Sequence, residues 1–143
     1  MKTIIPTTFF ILSLSWCNLA FASMYHDYLN KNKESLCKDI IKEESYSEIY
    51  QCTSLMLKDS QEKLNKKVKE IDDVLKESFD DNEPQKLFSE SQHSWSEFVK
   101  KQCLYKLIGY QPGSPLYQST QDLCFSVENY RRLEVLNGEP SIP

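Results

Sequence analysis

The sequence predicts an all-α domain: a small bundle of three to four helices, built on a long antiparallel helical hairpin and stapled by two disulfides. Three observations carry this expectation. Beyond the N-terminal segment, apolar residues recur at steps of three and four rather than in alternation, which is the period of a helix with one buried face. Only three glycines occur in 143 residues, so little interrupts that pattern. Of five cysteines, four (Cys37, Cys52, Cys103 and Cys124) lie past the N-terminal segment, an even set in a chain that reads as exported.

Residues 1–22 have the three parts of a signal peptide: Lys2 supplies positive charge, Ile4 to Leu14 is almost free of polar groups, and Ala20-Phe21-Ala22 offers small residues for cleavage. The apolar run is shorter than the roughly 20 residues that a spanning helix needs, and no later segment reaches that length. The expected mature chain, 23–143, is therefore a soluble domain, periplasmic or secreted, with no membrane span. Cys17 raises a lipoprotein alternative, but Trp16 occupies the position where lipid attachment wants a small residue. About 120 mature residues suit one domain, which can bury a core and gains from staples.

The first helix is expected from about Tyr25 to Glu43, with Tyr25, Leu29, Leu36 and Ile40 on one side and Cys37 near that face. Ser45-Tyr46-Ser47-Glu48 then matches a capping box, in which the serine hydroxyl and the glutamate satisfy free amides at a helix start. A helix approaching 33 residues follows, about 50 Å long. Ile49, Cys52, Met56, Leu64, Val68, Ile71, Leu75 and Phe79 lie at helical spacing, opposite a face rich in Lys and Glu. Asp80-Asp81-Asn82-Glu83-Pro84 breaks the pattern and starts a third helix, to about Ile108, antiparallel to the long one. Leu87, Phe88, Trp95, Phe98 and Tyr105 are expected inside. Gly109 to Pro115 contains two glycines and two prolines and reads as the most irregular part of the domain. A last helix is expected from about Thr120 to Asn137, burying Leu123, Val127, Tyr130, Leu133 and Leu136, with Gly138 as its stop.

Four cysteines allow three pairings. Their spacing favours two local bridges, Cys37 with Cys52 across a helical corner and Cys103 with Cys124 across the Gly/Pro-rich loop. Each would contribute about 3 kcal/mol by loop-closure entropy. Cysteines so committed leave no thiol for catalysis. His26 and His93 are the only histidines and no Cys-x-x-Cys pair occurs, which argues against a metal site, a cofactor or a Ser/His or Cys/His enzyme. Losing Lys2 with the signal leaves sixteen basic against twenty-one acidic groups, a net charge of −5. Nucleic acid is an improbable partner for such a chain, whereas a basic protein would be attracted.

Leu87-x4-Gln92-x2-Trp95-x2-Phe98-x4-Cys103 resembles the glutamine, tryptophan, aromatic and cysteine series of the lysozyme inhibitor LprI-like family. Leu64-Asn65 is similar to that family's Leu-Asn pair, Cys124 with Arg132 and Leu136 to its closing segment, and Cys37 and Cys52 fill its two earlier cysteine places. The resemblance spans about Cys37 to Leu136. Family members usually carry an arginine where this chain has Val99, a threonine where it has Asn129, and an aromatic where it has Val68. Asn65, Gln92, Trp95, Phe98 and Arg132 are expected in structural roles: Trp95 in the core, Asn65 bonded to a neighbouring helix or loop, Arg132 paired with an acidic residue of the long helix.

The resemblance implies a secreted or periplasmic binding protein that blocks lysozyme by protein–protein contact, not an enzyme. The expected contact is the loop from Gly109 to Tyr117, with Tyr110, Leu116 and Tyr117 as anchors and Gln111 and Ser114 beside them. The alternative is an envelope interaction or scaffold protein whose partner is not lysozyme and which binds through the charged face of the long helix.

Overall fold

A computed structural model describes residues 16–139, with side-chain surroundings from Met24 onward. The charged and apolar parts of the expected signal peptide, residues 1–15, lie outside the described residues. Four helices make up the fold: α1 (Trp16–Lys33), α2 (Tyr46–Ser78), α3 (Glu83–Lys106) and α4 (Pro115–Leu136), with no strand among the described residues.

Local chemistry sets the helix ends. The capping box at Ser45 is formed: Glu48 N–H donates to Ser45 Oγ, and Ser45 N–H donates to Glu48 Oε2. From it α2 runs 33 residues to Ser78, as its periodicity predicts. Pro84 sits in the first turn of α3, where a missing amide costs no helical bond. Helix α4 begins at Pro115, five residues before its expected start. Ser114 is its N-cap, with its hydroxyl accepting from Tyr117 N–H, and Pro115 opens the first turn. The loop between α3 and α4 is thereby shortened, and it turns on Gly109 (φ 94°) and Gly113 (φ 78°), whose left-handed backbone is strained for other residues.

The first helix ends ten residues earlier than expected, at Lys33. Past it Cys37 N–H reaches back to Asn32 O, and the amides of Ile40 and Ile41 both bond Cys37 O, so the chain coils through turns. This brings Cys37 to Cys52, and Lys33 bridges to Glu44 across the corner at 3.2 Å. Both disulfides join the expected partners, Cys37–Cys52 and Cys103–Cys124.

Contacts between helices give their directions. Asp72 meets Gln85 next to the α2–α3 turn, and α3 returns antiparallel to α2. Gln102 with Glu128 and Gln92 with Arg132 make α4 antiparallel to α3. Helices α2 and α4 therefore run in the same direction, and theirs is the most extensive contact in the domain. Their seam is made of small polar residues. Thr53, Ser60 and Ser126 are buried with each hydroxyl bonded to a carbonyl of its own helix, and Asn129 donates to Ser60 Oγ. Small side chains allow close approach, and bonding within the seam removes the penalty for burying them.

Apolar packing surrounds this seam. Leu64, Ile71, Leu75 and Leu136 form one cluster with Val68, Phe88 and Trp95 against it. Cys37, Cys52 and Met56 form a second with Leu29, Leu36, Ile41, Leu123 and Tyr130. Val99, Cys103 and Cys124 form a third with Tyr25, Trp95 and Phe125. A fully buried aliphatic side chain contributes about 1.5–3 kcal/mol, so these clusters account for much of the stability.

The buried stripe of α3 keeps Phe88 and Trp95 of the expected set and departs from it at the other three positions. Phe88, Trp95, Val99 and Cys103 face the bundle, and Val99 is only 3% exposed. Leu87, Phe98 and Tyr105 point to solvent, Phe98 at 61% and Tyr105 at 73% exposure. Two apolar stripes run along α3, and the one carrying the disulfide cysteine turns inward. Phe79, at the C-cap of α2, is likewise exposed.

Candidate functional site

The N-termini of α2 and α4, the C-terminus of α3 and both disulfides lie toward one end of the bundle. There the α3–α4 loop passes beside the start of α2, and a cleft of about 430 Å³ separates them, lined by Tyr46, Ser47, Tyr50, Gly113, Ser114, Pro115 and Gln118. Tyr46 is 85% exposed, and Tyr50, Ile108, Tyr110 and Leu116 are also exposed at this end. Residues 107–121 contain no Asp, Glu, Lys or Arg. The loop side of this surface is thus aromatic, uncharged and tied to the core through Cys103–Cys124.

Of the expected contact residues, Tyr110, Gln111 and Leu116 are exposed, while Ser114 and Tyr117 are half-buried. Ser114 is engaged as the N-cap of α4, and Leu116 and Tyr117 belong to its first turn instead of to a loop. Tyr46 and Tyr50 escaped the sequence reading. Both fall on the first turns of a helix whose capping box was legible, and nothing in their spacing brings α4 next to them.

The motif residues divide. Gln92, Trp95 and Arg132 come together at the α3–α4 seam, where Arg132 Nε donates to Gln92 Oε1 at 3.2 Å and the guanidinium lies 5.7 Å from the Trp95 ring centre. Arg132 therefore pairs with α3 and not with an acidic residue of α2, and burial lowers its pKa. Asn65 is exposed and accepts from Gln61 of its own helix, so the expected bond to a neighbouring element is not made. Phe98 lies outside the cluster, on the solvent face.

A polar centre that the sequence reading missed ties three helices together. Glu128, buried on α4, accepts from Tyr25 Oη at 2.6 Å, Gln102 Nε2 at 3.1 Å and Arg131 Nη1 at 2.9 Å. Burial, then the bond to Glu128, holds the Tyr25 phenol well above its ordinary range. Lys106 lies 3.5 Å over the Tyr25 ring, and burial lowers its pKa. One turn on, Tyr28 donates to Glu134 at 2.8 Å and stacks on Tyr130, which donates to Asp59. The first helix is therefore fastened by tyrosine hydroxyls on carboxylates, a structural role that leaves these groups committed.

Charge is distributed unevenly. Between Lys69 and Glu90, the segment around the α2–α3 turn, eight acidic residues face three lysines, a net charge of −5. The rest of the chain from Ser23 holds thirteen of each sign, so the acidic balance of the expected mature domain sits at the end opposite the tyrosine cleft. Among the described residues, no three or more His, Cys, Asp or Glu are placed to hold a metal ion, and no helix is long and apolar enough to cross a membrane.

A family model described as lysozyme inhibitor LprI matches residues 37–136. No curated protein and no solved structure gives a match.

Proposed function

The chain belongs to the lysozyme inhibitor LprI family, whose model takes in both bridges and the whole of α2, α3 and α4; on that premise we propose that it is an exported protein that binds lysozyme and blocks it by protein–protein contact. In this reading residues 1–22 are removed on export, and the two disulfides suit the oxidising compartment that the mature domain enters.

The observation that carries the reading is the uncharged, tyrosine-bearing end around the α3–α4 loop. A lysozyme cleft must bind an uncharged glycan between carboxylates, and an intruding loop with no charge of its own avoids both repulsion and the cost of burying ions. Tyr110 and Leu116 offer the kind of contact that dominates interfaces, and the disulfide at the base of the loop limits the entropy lost on binding. The net charge of −5 on the expected mature chain favours encounter with a basic enzyme.

The test is lysis of bacterial cell walls by several lysozyme types, with and without the purified, oxidised domain. Inhibition is expected, and Tyr110→Ala with Leu116→Ala should weaken it by about 30-fold or more, corresponding to about 2 kcal/mol, with the melting temperature little changed. Absence of inhibition across all types would defeat the proposal. A domain that then captured another envelope protein through the exposed charges of α2 would support the scaffold alternative.

A further inference from the structure

We propose that a cleft on the α3–α4 seam binds a monocarboxylate carried on an aromatic or branched apolar group, with Arg132 taking the carboxylate and Trp95, Phe98 and Val135 holding the apolar part. The cleft has a volume of about 430 Å³, a size ordinary for small-ligand sites, and it shares no lining residue with the tyrosine cleft. Helix α3 contributes Trp95 and Phe98, three residues apart. Helix α4 contributes Arg131 and Arg132, which lie four and three residues before Val135, so each helix presents its set on one face. Phe98 is 61% exposed and Val135 59%, so each helix leaves one large apolar side chain uncovered at the cleft.

Arg132 is positioned but not neutralised. Its Nε donates to Gln92 Oε1 at 3.2 Å, its guanidinium lies 5.7 Å from the Trp95 ring centre, and Nη2 makes a long contact of 3.5 Å to Ser91 Oγ. Nη1 has no hydrogen bond, and no carboxylate comes within 4.0 Å of the guanidinium, among the described residues. Gln92 keeps this arrangement at its own expense: with its carbonyl on Arg132, its Nε2 is buried and has no partner. Turning the amide over would set donor against donor. Buried polar atoms are nearly always matched, so an amide left orphaned in order to aim one guanidinium marks that guanidinium as a group whose direction matters.

The surrounding charges select a single negative charge. Two carboxylates line the cleft with the two guanidinia, Glu128 and Glu134. Glu128 is matched by Tyr25, Gln102 and Arg131, and Glu134 accepts from Tyr28 of α1. Glu139 lies beyond 4.0 Å and acts on Arg132 only at a distance. The lining is thus neutral in sum. A carboxylate meets the open edge of the Arg132 fork, whereas a phosphate dianion brings a second charge with no cation left to take it. The site stands independently of the lysozyme reading, because its test uses small acids and no lysozyme.

The experiment is fluorescence titration of the oxidised mature chain, in which Trp95 is the one tryptophan once Trp16 is lost with the signal peptide. N-acetyl-phenylalanine should change the Trp95 emission saturably. Its C-terminal amide, which lacks the charge, should bind about tenfold more weakly, and inorganic phosphate at equal concentration should leave the emission unchanged. Phe98→Ser and Val135→Ser, both at exposed positions, should each weaken binding by about fivefold with circular dichroism unchanged, and so should Arg132→Lys, which keeps the charge without the fork. A tetrapeptide ending in phenylalanine distinguishes the sources of this chemistry: tighter binding than the free acid assigns the site to a chain terminus, equal or weaker binding to a small acid. No saturable change with N-acetyl-phenylalanine would overturn the proposal. So would acid and amide that bind equally, or full affinity in both Phe98→Ser and Arg132→Lys.

Discussion

Replacing Glu128 with alanine should be among the most damaging single changes in this domain, and the structure says by how much. The carboxylate is buried and accepts three bonds, from Tyr25 on α1, Gln102 on α3 and Arg131 one turn along α4. A bond from a neutral donor to an ionised acceptor contributes about 1.5–3 kcal/mol, and a buried donor left without an acceptor costs about 1–3 kcal/mol. The Arg131 side chain is 43% exposed and regains water when released, so its ion pair adds little. Because Tyr25 and Gln102 are only part-buried, some solvent reaches them too, and the estimate is about 3 kcal/mol. For a domain of this size that lowers the melting temperature by about 10–15 °C. Thermal and urea denaturation of the oxidised mature chain will measure it. Tyr25→Phe, combined with Glu128→Ala in a double-mutant cycle, should reveal a coupling of about 1–2 kcal/mol between α1 and α4. A loss under about 0.5 kcal/mol for Glu128→Ala, or strict additivity in the cycle, would refute the claim that this centre fastens the first helix.

Three further outcomes are expected. Removing the second bridge with Cys103→Ser and Cys124→Ser should cost about 3 kcal/mol, measured by urea denaturation, and any inhibitory activity should fall further than stability alone explains. Alkali should detach α1. Burial, and next the bond to Glu134, push the Tyr28 phenol up to about 12, against an ordinary value of 10.0. Because the folded value is the higher one, its stabilising effect is complete below pH 10 and disappears as pH rises toward 12, a trend that Tyr28→Phe should blunt in tyrosinate absorbance and circular dichroism. Finally, burial raises the Asp122 pKa while its Oδ1 accepts from Gln118. The charged form therefore costs stability above its folded pKa, and Asp122→Asn, which keeps the accepting oxygen, should melt higher at neutral pH with the advantage shrinking as acid is added.

Much of the architecture was legible because it follows from local rules. The capping box at Ser45, the 33-residue run of α2 and the two bridges needed only spacing and cap chemistry. The face of α3 followed only in part, because that helix carries two apolar stripes. Phe88 and Trp95 were expected inside and are, but Leu87, Phe98 and Tyr105 form the other stripe, and because Cys103 must reach Cys124 it is Val99 that turns inward beside Trp95. The start of α4 was readable in principle: Ser114-Pro115 is an N-cap followed by a first-turn proline, but it stands within a cluster of breakers that reads as loop. Helix α1 stops short because Cys37 has to meet Cys52, a demand made by tertiary structure. The Glu128 centre left no trace in a search for apolar periodicity, since its partners lie 26 and 103 residues away. The tyrosine cleft was half visible, with its loop side marked by Tyr110 and its α2 side hidden until α4 was found to run parallel to α2.

The order of the bridges bears on how such a chain matures. Each of the four bridged cysteines is joined to its neighbour among them, 15 and then 21 residues apart, so the two closed loops neither overlap nor nest. On the proposed export, with Cys17 removed in the signal peptide, Cys37 and Cys52 meet an oxidant before Cys103 has emerged. Indiscriminate oxidation of thiols in order of arrival then yields the native connectivity, with no wrong bridge to reshuffle and no call on an isomerase. One fastening of the first helix obeys the opposite schedule: the Tyr25 hydroxyl closes on Glu128, 103 residues further along, and must wait until α4 has emerged.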